Sequence, residues 1–233
     1  MAQFAYRCEK LRRFLKVPLP SLVSGTCSSN NRVFLFRSFA DYLKDKMGKT
    51  ALVLLAGGAE ELETVSVIDI LARAKVKVVV AGVAGTSVVT CSRGAKIQPD
   101  VALADVMGTA FDLVYLPGGL DGMHALANSA DVGKLLKDQH ENKRLIAAIC
   151  AAPCALKTHG ISKGAKVTSY PSMKDQLHSF YKYTEEDIVV DGHILTSRGP
   201  GTASMFGLKL AEMLTDRATA KAVADSMLIP YSA

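Results

Sequence analysis

Tryptophan is absent from this 233-residue sequence, and aromatic residues make up only 6% of it. There is no CxxC pair. The five cysteines, at 8, 27, 91, 150 and 154, make an odd count whose spacing fits neither a secreted disulfide framework nor a zinc site. A reducing compartment and no metal are therefore expected. No apolar run approaches the roughly 18–20 residues a membrane-spanning helix needs, so no membrane span is expected. The phosphate-loop patterns GxGxxG and GxxxxGK[ST] are missing too, which leaves a nucleotide, and a cofactor generally, without support. Acidic residues are scarce at one end only. Residues 1–50 hold ten Lys/Arg against three Asp/Glu, whereas the rest of the chain is nearly neutral. The formal charge of +6 thus forms no basic stripe over the main body, and nucleic-acid binding there is not expected.

What is present divides at about residue 48. The first 40 residues carry seven basic side chains, one acid (Glu9) and five serines. On a helical wheel Phe4, Cys8, Leu11 and Leu15 share a face, with Arg7, Lys10, Arg12, Arg13 and Lys16 over the rest. An Arg-rich, acid-poor amphipathic start has the character of a mitochondrial presequence. A basic tail or a membrane-surface helix carries the same composition. Residues 1–48 therefore read as an extension and residues 49–233 as one domain.

From Thr50 strands alternate with helices. Thr50–Ala56, Val76–Val83, Leu113–Leu116 and Leu145–Ile149 read as buried strands, and Val88–Cys91 and Lys166–Ser169 as short extended pieces. Helices are expected over Glu60–Ala74, Gly122–Asn128, Asp131–Asn142, Ala151–Lys157, Thr202–Thr215 and Ala218–Met227, with a helical turn at Val101–Val106. Ile188–Val190 and His193–Ser197 read as a hairpin across Asp191-Gly192, a turn dipeptide suited to positive φ. The pattern predicts an α/β sandwich of three layers, a mostly parallel sheet with helices on both faces.

Ligands of such sheets sit at the carboxyl ends of the strands, where strand order reverses. Three segments end there: Gly57–Glu63, Pro117–Leu120 and Cys150-Ala151. Cys150, at a strand-to-helix corner, is expected to meet free backbone N–H groups and the positive end of a helix, an environment favouring thiolate. Buried cysteines are commonly inert, so a structural role fits this stretch equally well. One of Glu60, Glu61 and Glu63 can lie against the sulfur as a protonated carboxyl, and periodicity alone does not choose among them. Backbone N–H groups of Gly118, Gly119 and Ala151 suit an oxyanion site. No histidine has a spacing that pairs it with Cys150.

The runs A-L-V-L-L-A-G-G-A-E-E-L-E-T-V from Ala51, V-A-G-V-A-G from Val80, L-P-G-G from Leu116, A-A-I-C-A from Ala147 and L-T-S-R-G-P-G-T from Leu195 are specific. They closely resemble the DJ-one branch of the ThiJ/PfpI superfamily, the branch of the Parkinson-disease-associated deglycase. The match covers about residues 49–229 in one register. The resemblance implies a flavodoxin-like homodimer with Cys150 as the reactive cysteine and Glu63 as its hydrogen-bonding partner. It further implies pocket roles for Gly118, Gly119, Ala151, Arg93 and Arg198, and a secondary oxidisable cysteine at Cys91. Tyr170 stands where the family usually has a pocket histidine, Leu120 replaces a polar residue, and Ala152 replaces a glycine. Ala151, where a protease-like branch has histidine, argues against peptidase activity.

The function implied is protection against oxidative and carbonyl stress, with cofactor-free glyoxalase or deglycase chemistry on methylglyoxal and its adducts. The alternative is a non-catalytic sensor and redox-dependent chaperone with client proteins, acting through oxidation of Cys150 to sulfinate. Cytoplasmic and mitochondrial locations are expected, with the nucleus open as well.

Overall fold

The computed structural model describes residues 48–231; the amphipathic start read in the extension lies outside them. In chain order the first elements are β1 (Thr50–Leu55), α1 (Glu61–Arg73), β2 (Lys77–Gly82), β3 (Val89–Thr90), β4 (Lys96–Ile97), β5 (Val101–Ala102), α2 (Leu103–Val106) and β6 (Leu113–Leu116). There follow α3 (Leu120–Asn128), α4 (Ala130–Glu141), β7 (Leu145–Ile149), α5 (Pro153–Thr158), β8 (Lys166–Val167), α6 (Lys174–Leu177) and β9 (Lys182–Tyr183). The chain closes with β10 (Ile188–Asp191), β11 (Ile194–Ser197), α7 (Ala203–Leu214) and α8 (Arg217–Ser226).

Seven strands form the central sheet in the order β10-β11-β7-β6-β1-β2-β5, all neighbours parallel except the β10–β11 hairpin. Alternation along β1 builds the three layers, because successive side chains of a strand point to opposite faces. Leu52, Leu54 and Ala56 pack with Leu126 of α3, Leu136 of α4 and Leu156 of α5. Ala51, Val53 and Leu55 pack instead with Val67 and Ile70 of α1, Phe206 of α7 and Val223 of α8. Burying each leucine or phenylalanine of these layers contributes roughly 1.5–3 kcal/mol. This is the α/β sandwich the strand–helix alternation predicts, in the flavodoxin-like form the resemblance implies.

The chain passes from β1 to β2 on one side and returns to β6 on the other, so order reverses between β1 and β6. A crevice opens there at the carboxyl ends of the strands.

Some boundaries differ from expectation. The turn expected at Val101–Val106 is helical only from Leu103. Asp100 both accepts from and donates to the Val80 backbone, which docks Val101–Ala102 on the edge of β2 as a strand. The helix expected from Ala151 begins at Pro153, its first-turn proline, and Cys150–Ala152 forms a turn before it. The strand expected at Lys166–Ser169 stops at Val167, because the Thr168 N–H turns to the Thr196 hydroxyl. Its partner β9 is too short to show in the sequence pattern.

Candidate active site around Cys150

Cys150 leaves the end of β7 in the left-handed region, at φ +63°. A non-glycine residue is held there at a cost of order 1–3 kcal/mol, so its neighbours must fix it. Its N–H donates to the Ser197 carbonyl at the end of β11 (3.0 Å), and its carbonyl accepts the Tyr170 N–H (2.9 Å). The sulfur therefore projects into the crevice from a backbone pinned on both sides.

Two glycines make room for it. A Cβ on Gly118 would lie 2.5 Å from the Cys150 Cβ and 2.6 Å from Glu63 Oε2. Gly119 sits at φ +87°, and a Cβ there would lie 2.2 Å from the Gly58 carbonyl oxygen. No other residue type fits either position without displacing the strand ends.

The three glutamates before and within α1 divide their work. Glu60 caps the helix, accepting the Glu63 N–H at 2.7 Å. Glu61 holds the following loop, accepting from the Ser92 hydroxyl and the Arg93 N–H. Glu63, fully buried, points inward, and its Oε2 accepts the Gly118 N–H at 2.8 Å. Its Oε1 is buried without a hydrogen-bond partner in the protein. The choice that helical periodicity left open falls on Glu63.

Burial raises the Glu63 carboxyl to about 7, against the pull of the Gly118 N–H and of Cys150. Burial and the Glu63 charge push the Cys150 thiol up to about 12, opposed by the N–H groups of Gly119 and Ala151. The thiol is thus raised where the helix start was expected to favour thiolate. Desolvation and a neighbouring carboxylate outweigh two amides and a six-residue helix that starts three residues later. Two such groups titrate as a pair. Between these values the pair holds one proton. With that proton on Glu63, the carboxyl donates to the sulfur and no longer repels it, while Gly119 and Ala151 hold the negative charge. Moving that proton between the two groups leaves the charge of the site unchanged.

The remaining predicted residues stand at varying removes from this pair. Tyr170 is half exposed, and its ring packs 3.3 Å from where a Cβ on Gly199 would stand. With Arg198, Asp187, Pro200 and Thr202 it lines a cavity of about 310 Å³; neither Cys150 nor Glu63 lines it. Arg198 donates to the Glu185 carbonyl at 2.8 Å. Arg93 is exposed and approaches the site only through its backbone bond to Glu61. Cys91 is buried, and burial with the Glu61 and Glu60 charges raises its thiol. Leu120 is exposed at the start of α3, and Ala152 is buried behind the cysteine. The hydrogen bonds of His140, His159, His178 and His193 all run to other groups. No group of three or more His, Cys, Asp or Glu suited to a metal occurs among the described residues.

Tyr115 was not singled out from sequence. It is fully buried in β6, and its hydroxyl donates to the Glu63 carbonyl at 3.0 Å, tying the first turn of α1 to the sheet. The available signal was a tyrosine inside an otherwise apolar strand, since a buried phenol requires a partner.

Fold and site together define a flavodoxin-like protein with a cysteine–glutamate pair at the switch point of its sheet. Residues 49–213 match the DJ-1/PfpI family, and the chain belongs to it. It is 50% identical to protein dj-1beta of Drosophila melanogaster over 187 residues, 80% of this chain and all of that one. It is 43% identical to the glutathione-independent glyoxalase DJR-1.2 of Caenorhabditis elegans over 168 residues, 71% of this chain and 89% of that one. The crystal structure of Drosophila DJ-1beta superposes with a TM-score of 0.78, covering 79% of this chain and all of that chain.

Proposed function

We propose that this protein protects against oxidative and carbonyl stress by cofactor-free conversion of 2-oxoaldehydes such as methylglyoxal to 2-hydroxy acids. The observation that carries this reading is the buried Glu63 carboxyl, held by the Gly118 N–H at 2.8 Å, set against Cys150 beside the Gly119 and Ala151 amides. The nematode relative, a glutathione-independent glyoxalase by name, supports it. The Cys150 sulfur adds to the aldehyde carbon, forming a C–S bond, and the proton held by Glu63 goes to the new oxygen, giving a hemithioacetal. Glu63 then removes the C1 proton and returns a proton to C2, which turns the adduct into a thioester of the hydroxy acid. Water cleaves the thioester, releasing lactate and returning the thiol. Oxidation and reduction are internal to the substrate, so only water is consumed. Glycated protein adducts are the larger substrates of the same chemistry.

One observation favours a second reading. The 310 Å³ cavity is not lined by Cys150, whereas a peroxide needs only the half-buried sulfur. Oxidation of Cys150 to sulfinate then makes the protein a redox sensor and chaperone for client proteins. Steady-state lactate formation from methylglyoxal by fully reduced protein separates the two. Turnover abolished by Cys150→Ala is the expected result; turnover surviving that change overturns the enzyme reading, and no turnover at all leaves the sensor.

The working unit in this reading is a homodimer. Leu62 and Val65 on the first turns of α1 and Met205 on the first turn of α7 are exposed apolar residues on two helices packed side by side. Among the described residues no helix is long and apolar enough to cross a membrane. Cytoplasmic and mitochondrial locations are proposed from the composition of residues 1–48, with nuclear entry open.

A further inference from the structure

Outside the Cys150 site, the molecule brings two imidazoles together from positions 53 residues apart in the chain. Nδ1 of His140, in the last turn of α4, stands 2.8 Å from Nε2 of His193, in the residue just before β11. The rings are 4.8 Å apart between centroids and tilted by 37°. Both side chains are partly exposed, so solvent and small ions reach them. The backbone beneath is rigid: the His193 carbonyl accepts the Ile146 N–H of β7 at 2.8 Å. Lys143 and Asp191 are charged neighbours of His193, one of each sign.

One imidazole must donate and the other accept across this contact, so a single proton links the two rings. A metal ion bound by imidazole takes the place of such a proton. Two nitrogens each about 2.0–2.1 Å from one ion and at right angles to each other stand about 2.9 Å apart. The observed separation is that of two neighbouring ligands in a tetragonal site. We infer that His140 and His193 form a two-nitrogen binding site for a divalent transition ion of tetragonal preference, of the nickel or copper class, with water in the remaining positions. The site lies at the opposite end of β11 from Ser197, whose carbonyl holds Cys150. It is thus separate from the thiol chemistry and braces α4 to the β10–β11 hairpin.

Titration of the full chain with Ni²⁺ at pH 7.5 tests this. One ion per chain is expected, without thiolate-to-nickel charge-transfer absorption, and affinity should fall by about tenfold or more in His140→Gln and in His193→Leu. Absence of uptake, uptake unchanged by both substitutions, or a thiolate absorption band would each overturn the inference. Should either variant fail to fold, protection of the unaltered protein decides. Ni²⁺ should shield His140 and His193 from diethylpyrocarbonate while the exposed His124 and His178 still react; equal labelling of all four refutes the site.

Discussion

Glu63 sets two opposing pH dependences. Its folded carboxyl is raised from 4.5 to about 7 by burial, so the native state holds this proton more tightly than the unfolded chain does. That contribution to stability is complete below the unfolded value and is lost as pH rises through about 7. The proposed chemistry runs the other way, since it requires the pair to have given up its first proton. Methylglyoxal turnover is therefore expected to rise through about pH 7 as thermal stability declines, and Glu63→Gln should flatten both profiles. In that variant the Cys150 thiol should ionise more easily, having lost a charge that opposes it. Turnover should still fall by about 10²–10⁴-fold, because an amide cannot carry a proton. A Glu63→Gln protein with unchanged kcat and pH profile would place the acid–base step on another group.

At the scale of elements, the site depends on how the first turn of α1 meets the end of β6. Glu60 closes the helix start, and Tyr115 reaches from the sheet to the carbonyl of Glu63. Tyr115→Phe removes that buried donor and leaves the carbonyl with only its partner inside the helix, which should cost about 0.5–1.5 kcal/mol in denaturant unfolding. It should also lower turnover without changing the stoichiometry of Cys150 alkylation, because Glu63 rather than the cysteine loses its support. A variant with wild-type stability and wild-type turnover would remove Tyr115 from the positioning scheme.

At the scale of the whole molecule, two expectations concern association and the start of the chain. Val65→Glu places a charge on the exposed apolar face of α1; light scattering should give the mass of a dimer for the unaltered protein and of a monomer for the variant. Equal mass for both proteins would move the interface elsewhere. The matched family segment begins at residue 49, and β1 is buried from Ala51. Removing residues 1–48 should therefore leave the melting temperature of the domain within a degree or two. Fused to a reporter, the same residues should direct import into mitochondria; a reporter left in the cytosol would assign them another role.

The sequence by itself determined the alternation of strands and helices, the left-handed turn at Gly192, and the convergence of three segments on one end of the sheet. These are local matters: runs of apolar residues, glycines and period, each legible over a few positions. It also marked Cys150, because an apolar strand running into a proline-led helix identifies its own corner. Only the tertiary structure decided what touches what. Glu60, Glu61 and Glu63 are near neighbours in sequence, yet one caps, one pins a loop and one faces the sulfur, according to the side on which β6 and the residue 92–95 loop approach. The raised thiol of Cys150 has the same origin. A helix start can be read along the chain, but the desolvation and the buried carboxylate that outweigh it come from β6 and α1, which reach the corner only when the sheet is assembled.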